Sequence, residues 1–310
     1  MSDTPDDSDH GNKITSKQRS LIEARVEIEQ GPPNELDFLH ASFAHVALPR
    51  SKPKENTFMR RCGNASIHLS SGVMLRGGEA IPQPLPYGVR PRQFLIYATT
   101  FALKKNTREV EIGRSMRELM TDKLGYKTVN GGTRGSQTMF KQQLYSLIAC
   151  RMTLGWTDKG RDVTQKCDIF TRLDDPTQWY FDHAQSNLWP ATATLSAEYL
   201  ASIKDHAFPV DPRAISALDS ALAIDIYCWL SIRLHKLHKG LFLYWSSIRD
   251  QFGQDYSDAK DFKKAFSKAL TDALHVYPAA KIQSVDGGLM LLPSPSPVAT
   301  VRIVGGLDTK

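Results

Sequence analysis

The sequence predicts an α+β fold, mostly helical, in which one order of elements (helix, strand, helix, helix, hairpin) occurs twice. Three observations carry this reading. Capping pairs, Ser115 with Glu118 and Ser247 with Asp250, stand about 130 residues apart, and each precedes a glycine stop, Gly125 and Gly253. Each stop is followed by a helix whose apolar residues recur every three or four positions. Each of those helices is followed by strand-like runs around a polar or glycine-rich turn. The 310 residues fit about two domains of ~150 each, and 41% hydrophobic residues are enough to bury a core.

Taken in order, residues 1–35 form a flexible acidic tail with a candidate helix from Thr15 to Gln30, stopped by Gly31-Pro32-Pro33. Ala65 to Ser70 alternates as a strand. Pro91, favoured in a first turn, opens a helix along Phe94, Leu95, Ala98, Phe101 and Ala102 to about Lys104. Arg108 to Ile112 alternates as a short strand. Ser115 caps a helix through Met116, Leu119 and Met120. The loop Asn130-Gly131-Gly132-Thr133-Arg134-Gly135 leads to Ser136, the expected N-cap of a third helix with Phe140, Leu144, Leu147 and Ile148 inward. Arg151 to Trp156 and Gln165 to Leu173, joined around Asp158-Lys159-Gly160, are the expected hairpin. These elements give a first domain over residues 36–185.

The second domain spans residues 186–298, with a tail at 299–310. Ala221 to Leu234 is apolar nearly all round and so a buried helix. Phe242 to Tyr244 is strand-like, and Ser247 opens a helix along Ile248 and Phe252. Asp258 to Tyr277 is the clearest helix in the chain, its stripe Phe262, Ala265, Phe266, Ala269, Leu270, Ala273 and Leu274 unbroken until Pro278. Lys281 to Val285 and Leu289 to Leu292 flank Asp286-Gly287-Gly288, a strong hairpin signal.

This order is that of the winged helix, so the expectation is two tandem winged-helix domains with short β-hairpin wings. In that motif the third helix lies in the DNA major groove and the hairpin reaches the backbone. With the apolar stripe inward, Lys260, Lys263, Lys264, Ser267, Lys268 and Thr271 fall on the opposite side of the last long helix, with Lys281 at the start of its wing. Lysines there can meet phosphates or guanine acceptors, and Ser267 and Thr271 can reach base edges. In the first domain Gln137, Thr138, Lys141, Gln142 and Tyr145 are expected outward, with Thr133, Arg134 and Ser136 at the helix start as a phosphate seat. Fewer cations there suggest backbone positioning or dimerisation.

Charge agrees. The chain carries +6, and since its first twelve residues hold four Asp and no Lys or Arg, the remainder carries +10. A basic body suits a polyanionic partner. The apolar run from Ala221 to Ile232 contains Asp225 and is too short for a bilayer. The N-terminus has neither the basic nor the apolar region of a secretory signal. The expectation is a soluble cytoplasmic protein with no membrane partner.

Enzyme chemistry finds no constellation. Cys62, Cys150, Cys167 and Cys228 have no metal or redox spacing. His235 and His238, three apart on an expected helix, lie among lysines with no carboxylate nearby. Gly-x-Ser-x-Gly is absent, and Gly131-Gly132 lacks the phosphate-loop pattern. Asp174-Asp175 before Pro176 reads as a turn, and Asp205, Asp211 and Asp219 as loop or cap residues. No catalytic residue, metal or cofactor is expected.

Short segments in a fixed order then carry a resemblance. They are Leu48-Pro49-Arg50-Ser51-Lys52-Pro53, Phe58-Met59-Arg60-Arg61-Cys62-Gly63-Asn64, Leu85-Pro86-Tyr87-Gly88 with Pro91-Arg92, and Thr107-Arg108-Glu109. Next come Ile112-Gly113-Arg114-Ser115, Gly131-Gly132-Thr133-Arg134-Gly135-Ser136 and Phe208-Pro209-Val210-Asp211. Ala223 to Leu230, Asp261-Phe262-Lys263-Lys264-Ala265-Phe266, Val276-Tyr277-Pro278 and Leu292-Pro293-Ser294-Pro295 complete the set. From about Leu48 to Val298 the chain resembles the plasmid-encoded RepA replication initiators, the group defined by a shared RepA C-terminal region. Cys62 stands where a polar or small residue is expected, and Thr271-Asp272 where relatives are more basic.

The resemblance implies an initiator that binds directly repeated double-stranded DNA sites at a plasmid origin, helps open the duplex, and draws in the host initiator and replicative helicase. It also implies monomers that initiate and homodimers that repress. A transcriptional repressor of the same fold is the alternative reading, separated by genetic context. An enzyme acting on DNA is the third, separated by strand breakage.

Overall fold

The computed structural model describes residues 14–158, 160–174 and 191–298. The acidic stretch 1–12, Lys159, Asp175 and Pro176 of the expected turn, and the segment 299–310 lie outside the described residues.

Helix α1 (Ser16–Glu29) starts in a capping box. Thr15 Oγ1 accepts from the Gln18 N–H at 3.2 Å, and Gln18 Oε1 accepts from the Thr15 N–H at 2.9 Å. The helix is docked: Leu21 and Ala24 are buried, and Lys17 bridges Asp219 and Asp272 at 2.6 and 2.9 Å. Strand β1 (Asp37–His40) leads into the one-turn helix α2 (Ser42–His45). Strands β2 (Thr57–Cys62) and β3 (Ala65–Ser70) pair antiparallel, and β4 (Val73–Arg76) pairs with β5 (Glu79–Pro82) as a separate ribbon.

Helix α3 (Val89–Lys105) carries Pro91 in its first turn and buries Phe94, Leu95, Ala98 and Ala102, ending at Asn106 with φ of 48°. Strand β6 (Glu109–Gly113) follows. Ser115 Oγ accepts from the Glu118 N–H at 3.1 Å, capping α4 (Met116–Glu118), which continues as a π-helical turn over Leu119–Lys123. Helix α5 (Ser136–Ala149) buries Phe140, Leu144, Leu147 and Ile148 as the spacing predicts.

The first hairpin departs from expectation. Strands β7 (Arg151–Asp158) and β8 (Arg161–Lys166) do pair, but they extend β2 and β3 into a four-stranded sheet of order β2-β3-β7-β8. The run read as one strand from Gln165 to Leu173 breaks at Cys167-Asp168. There the Cys167 N–H donates to Met152 O at 2.9 Å and Asp168 Oδ1 accepts from the Met152 N–H at 3.0 Å. Beyond the break the chain enters a different sheet as β9 (Phe170–Asp174). Strand β10 (Ala191–Leu195) then inserts between β9 and β6, giving the order β6-β10-β9. The expected boundary at residue 185 precedes β10, which pairs with strands of the first unit.

Helix α6 (Ala197–His206) leads to β11 (Ala207–Val210), which pairs with β1, and to α7 (Pro212–Ala217), which receives α1. The second unit is α8 (Ala221–Arg233), β12 (Leu241–Tyr244), α9 (Trp245–Phe252), α10 (Ala259–His275), β13 (Ile282–Val285) and β14 (Gly288–Leu291). Its sheet has the order β12-β14-β13. In both units the last strand lies between the strand after the first helix and the strand that precedes it in sequence. The internal repeat read from element order thus extends to strand pairing.

Two starts and one helix differ from expectation. Gly135, not Ser136, occupies the N-cap of α5. Helix α9 starts at Trp245, so Ser247 lies inside it; the Trp245 N–H donates to Gly287 O at 3.1 Å, tying the helix start to the hairpin turn. His235 and His238 do not share a helix: His235 sits in a 3₁₀ turn at Leu234–Lys236, its Nδ1 2.8 Å from Ser231 O, and His238 lies beyond it.

Candidate nucleic-acid interface

Helix α10 is the longest strongly two-faced element. Asp258 Oδ1 accepts from the backbone N–H groups of Lys260 and Asp261 at 2.6 and 3.1 Å, satisfying donors that a helix start leaves free. Phe262, Phe266, Ala269, Leu270 and Ala273 are buried against α8. Phe262 and Phe266 join a chain of ring contacts that includes Trp245, Phe252 and Tyr256, with centroids 5.4–5.9 Å apart. This packing fixes the helix about its own axis, and so fixes what its other face presents.

That face is the one the spacing predicts. Lys260, Lys263, Lys264, Ser267, Lys268 and Thr271 are all exposed. Among the described residues none of the four lysines is ion-paired. Lys263 Nζ lies 5.0 Å from the centre of the Trp245 ring, which restrains the ammonium without neutralising it. Thr271 Oγ1 donates to Ser267 O at 3.0 Å. Asp272, which breaks the basic pattern, turns aside: it is only 13% exposed and pairs with Lys17 of α1. The hairpin β13–β14 follows, its turn made by Gly287 at φ +77°. Lys281 is exposed at its base, its N–H donating to Ser294 Oγ at 2.9 Å.

The first unit's expected face is only partly present. Arg134 and Gln142 are exposed, and Lys141 and Ser136 are half-buried. Gln137 and Tyr145, expected outward, are buried at 2% and 8% exposure. Tyr145 is covered by the β4–β5 ribbon, whose Arg76 stacks on its ring at 4.7 Å and donates to its hydroxyl, while Lys141 Nζ lies 5.5 Å from the same ring. The phosphate seat is largely filled by its own loop. Asn130 O accepts from the Gln137 N–H at 3.2 Å, Ser136 Oγ accepts from the Asn130 N–H at 2.9 Å, and Thr138 Oγ1 donates to Gly132 O at 2.7 Å. The loop folds so tightly that a Cβ on Gly135 would come within 2.1 Å of Gly131 O.

The arginines of the sequence motifs have an interior role that spacing alone did not disclose. Arg92, Arg50 and Arg60 are buried and converge on Asp225 and Asp255. The available signal was Asp225 itself, a carboxylate in an otherwise apolar run, which a buried helix tolerates only with a cationic partner. Burial and the neighbouring Arg50 pull Arg60 down to about 10, which still leaves it charged at neutral pH. Among the described residues no group of His, Cys, Asp and Glu is placed to hold a metal, and no helix is long and apolar enough to cross a membrane.

An α+β chain whose two units share strand order, the second with an unpaired cationic helix face, is the class of molecule these observations define. The family model described as plasmid encoded RepA protein matches residues 85–245, just over half of the 310 residues, and the chain belongs to that family. Membership indicates a plasmid replication initiator. Among solved structures, the chain is similar to a crystal structure of domains 2 and 3 of RctB, with 10% identity, a TM-score of 0.51, and coverage of 82% of this chain and 99% of that one. A second crystal structure of the same RctB domains aligns with 11% identity, a TM-score of 0.47, and coverage of 81% and 94%. At these identities the likeness concerns fold alone. No curated protein sequence matches the chain.

Proposed function

We propose that this chain initiates plasmid replication by binding directly repeated double-stranded DNA at the origin. On this reading its units are two winged-helix domains, and the second reads the major groove through α10. The observation that carries the proposal is the exposed, unpaired row Lys260, Lys263, Lys264 and Lys268, interleaved with Ser267 and Thr271 on a helix locked by its aromatic face. A 17-residue helix is about 25 Å long and fits a groove ~12 Å wide. Lysines supply affinity by counterion release, and the hydroxyl residues supply contacts to base edges. In the first unit, Arg134, Lys141 and Gln142 serve the backbone, a smaller role that suits the internal hydrogen bonding of its loop. The protein acts without catalytic chemistry or cofactor of its own, and host initiator and helicase proteins do the rest. A homodimer serves repression.

Footprinting on the DNA flanking its own gene tests the reading, with a plasmid-maintenance assay beside it. Protection of evenly phased repeats, no strand breaks, and replication dependent on those repeats are the expected results. Protection without support of replication favours the repressor reading. Absence of protected DNA overturns both.

A further inference from the structure

Arg61 and Gly63 at the β2–β3 turn, Trp229 and Arg233 on α8, and Arg249 and Tyr256 from α9 and the segment after it line an open cavity of about 820 Å³. None of the α10 face residues lines it.

The chemistry of its wall is unbalanced. Arg233 is half-buried at the end of α8, its guanidinium carbon 5.5 Å from the centre of the Trp229 ring. Its Nε is buried without a hydrogen-bond partner, and among the described residues no carboxylate pairs with it. Burial lowers its affinity for a proton, the sign that the cation lacks a compensating charge. Trp229 is 1% exposed, and its indole N–H is likewise buried and unpartnered. An indole can only donate, and a guanidinium carries five donors and no acceptor. Neither nitrogen has accessible surface of its own, so a ligand meets Arg233 only through its terminal N–H groups, and Trp229 supplies the ring beside which that guanidinium is held.

The remaining wall has the same sign. Arg249 Nη2 donates to Ser257 O at 2.9 Å and Arg61 Nε to Gly63 O at 3.1 Å, so each spends one donor and keeps others. Asp250 is the single carboxylate that lines the space. A ligand that suits three guanidiniums carries an acceptor-rich anion, and arginine forks match phosphate oxygens best. The volume exceeds what a bare phosphate needs and falls within the range of small-molecule sites, ~300–1,000 Å³. Leu243, Ile248 and Tyr256 provide apolar wall for an organic portion.

We propose that this cavity binds a small organic phosphate of about nucleoside-monophosphate size, its phosphate held by Arg61, Arg233 and Arg249. The site is separate from the α10 face, so its occupation can be assayed without DNA.

The test titrates the full chain with pyrophosphate, adenosine monophosphate and guanosine monophosphate, using calorimetry and thermal unfolding, and repeats this with Arg233→Gln and Arg249→Gln. The expected result is saturable binding of one ligand per chain, an upward shift of the unfolding midpoint, and affinity reduced about tenfold or more in each variant, as for loss of one charge-assisted hydrogen bond. If Arg233→Gln does not fold, Arg249→Gln and Arg61→Gln carry the comparison, since both guanidiniums reach solvent. Absence of saturable binding by any probe overturns the proposal, as does binding that none of the folded variants weakens. If the variants weaken duplex binding while no probe binds, the cavity is a DNA-backbone contact and the small-molecule proposal fails.

Discussion

Arg92 on α3 and Asp225 on α8 form a two-pronged ion pair in the interior, Nε to Oδ1 at 2.7 Å and Nη2 to Oδ2 at 3.0 Å. The remaining N–H groups of Arg92 donate to the carbonyls of Leu48, Pro49 and Gly88 at 2.6, 3.1 and 2.7 Å, so all five of its donors are used. Arg50 adds a second cation, its Nε 3.1 Å from Asp225 Oδ2. One carboxylate thus fastens the first unit's opening helix and the 48–50 segment to the second unit's central helix.

Replacing that carboxylate strands the buried Arg92 and leaves Arg50 with Asp255 alone. Asp225→Asn keeps the shape and removes the charge, and the expected loss is about 3–5 kcal/mol of unfolding free energy, the usual cost of breaking a buried pair from one side. Urea denaturation of both proteins measures it. A loss below about 1 kcal/mol would mean that water reaches the arginines and that the fastening is not interior.

On the α10 face, Lys264→Ala and Lys268→Ala each remove one cation without touching the core. Each is expected to weaken origin binding at ~150 mM salt and to lower the slope of log affinity against log salt by about one. Fluorescence anisotropy over a salt series reads both. Unchanged affinity and slope in both variants removes α10 as the reader.

Presentation of that face depends on how its helix begins. Asp258→Ala abolishes two backbone hydrogen bonds at the start of α10, with an expected cost of about 1 kcal/mol. Thermal unfolding measures the cost. Because Lys260 lies in the frayed turn while Lys268 does not, the same variant lowers DNA affinity less than Lys268→Ala does.

The α10 helix and the β13–β14 hairpin were legible because each is local. The stripe from Phe262 to Leu274, Asp258 before it, and Gly287 at φ +77° all act within a few residues. The first unit's sheet was not legible, because β6 finds β10 some eighty residues later and alternation alone names no partner. Arg151 to Trp156 is a strand whichever sheet receives it. The buried position of Tyr145 was hidden for the same reason. Helical spacing placed it toward solvent, and the β4–β5 ribbon that covers it comes from sixty to seventy residues earlier, whereas Gln137 is buried beside its own loop, its N–H bonded to Asn130 O. On α10, where exposure depends on one helix, the expected residues are exposed, and Tyr145, beneath a distant ribbon, is not.

The fold also carries a pH dependence centred on His40, which is 6% exposed at the β1–β11 junction. Its Nδ1 accepts from the Ser42 N–H at 3.1 Å, so its Nε2, 2.8 Å from Ser202 Oγ, carries the ring's single proton. Burial, and after it the facing His206, pulls His40 down to about 4. The unfolded imidazole takes its proton near 6.5. Between those values the unfolded chain binds a proton that the folded chain refuses, so the stabilisation is complete above ~6.5 and is lost as pH falls toward ~4. From pH 7 to pH 5 this one group is expected to remove roughly 2 kcal/mol. His40→Gln, a neutral side chain with a donor and an acceptor, is less stable at pH 7 but flatter across that window. Urea midpoints at pH 7, 6 and 5 for both proteins decide it. Parallel slopes would place the acid sensitivity elsewhere, with His45, which burial also holds below the usual imidazole value, as the next group to replace.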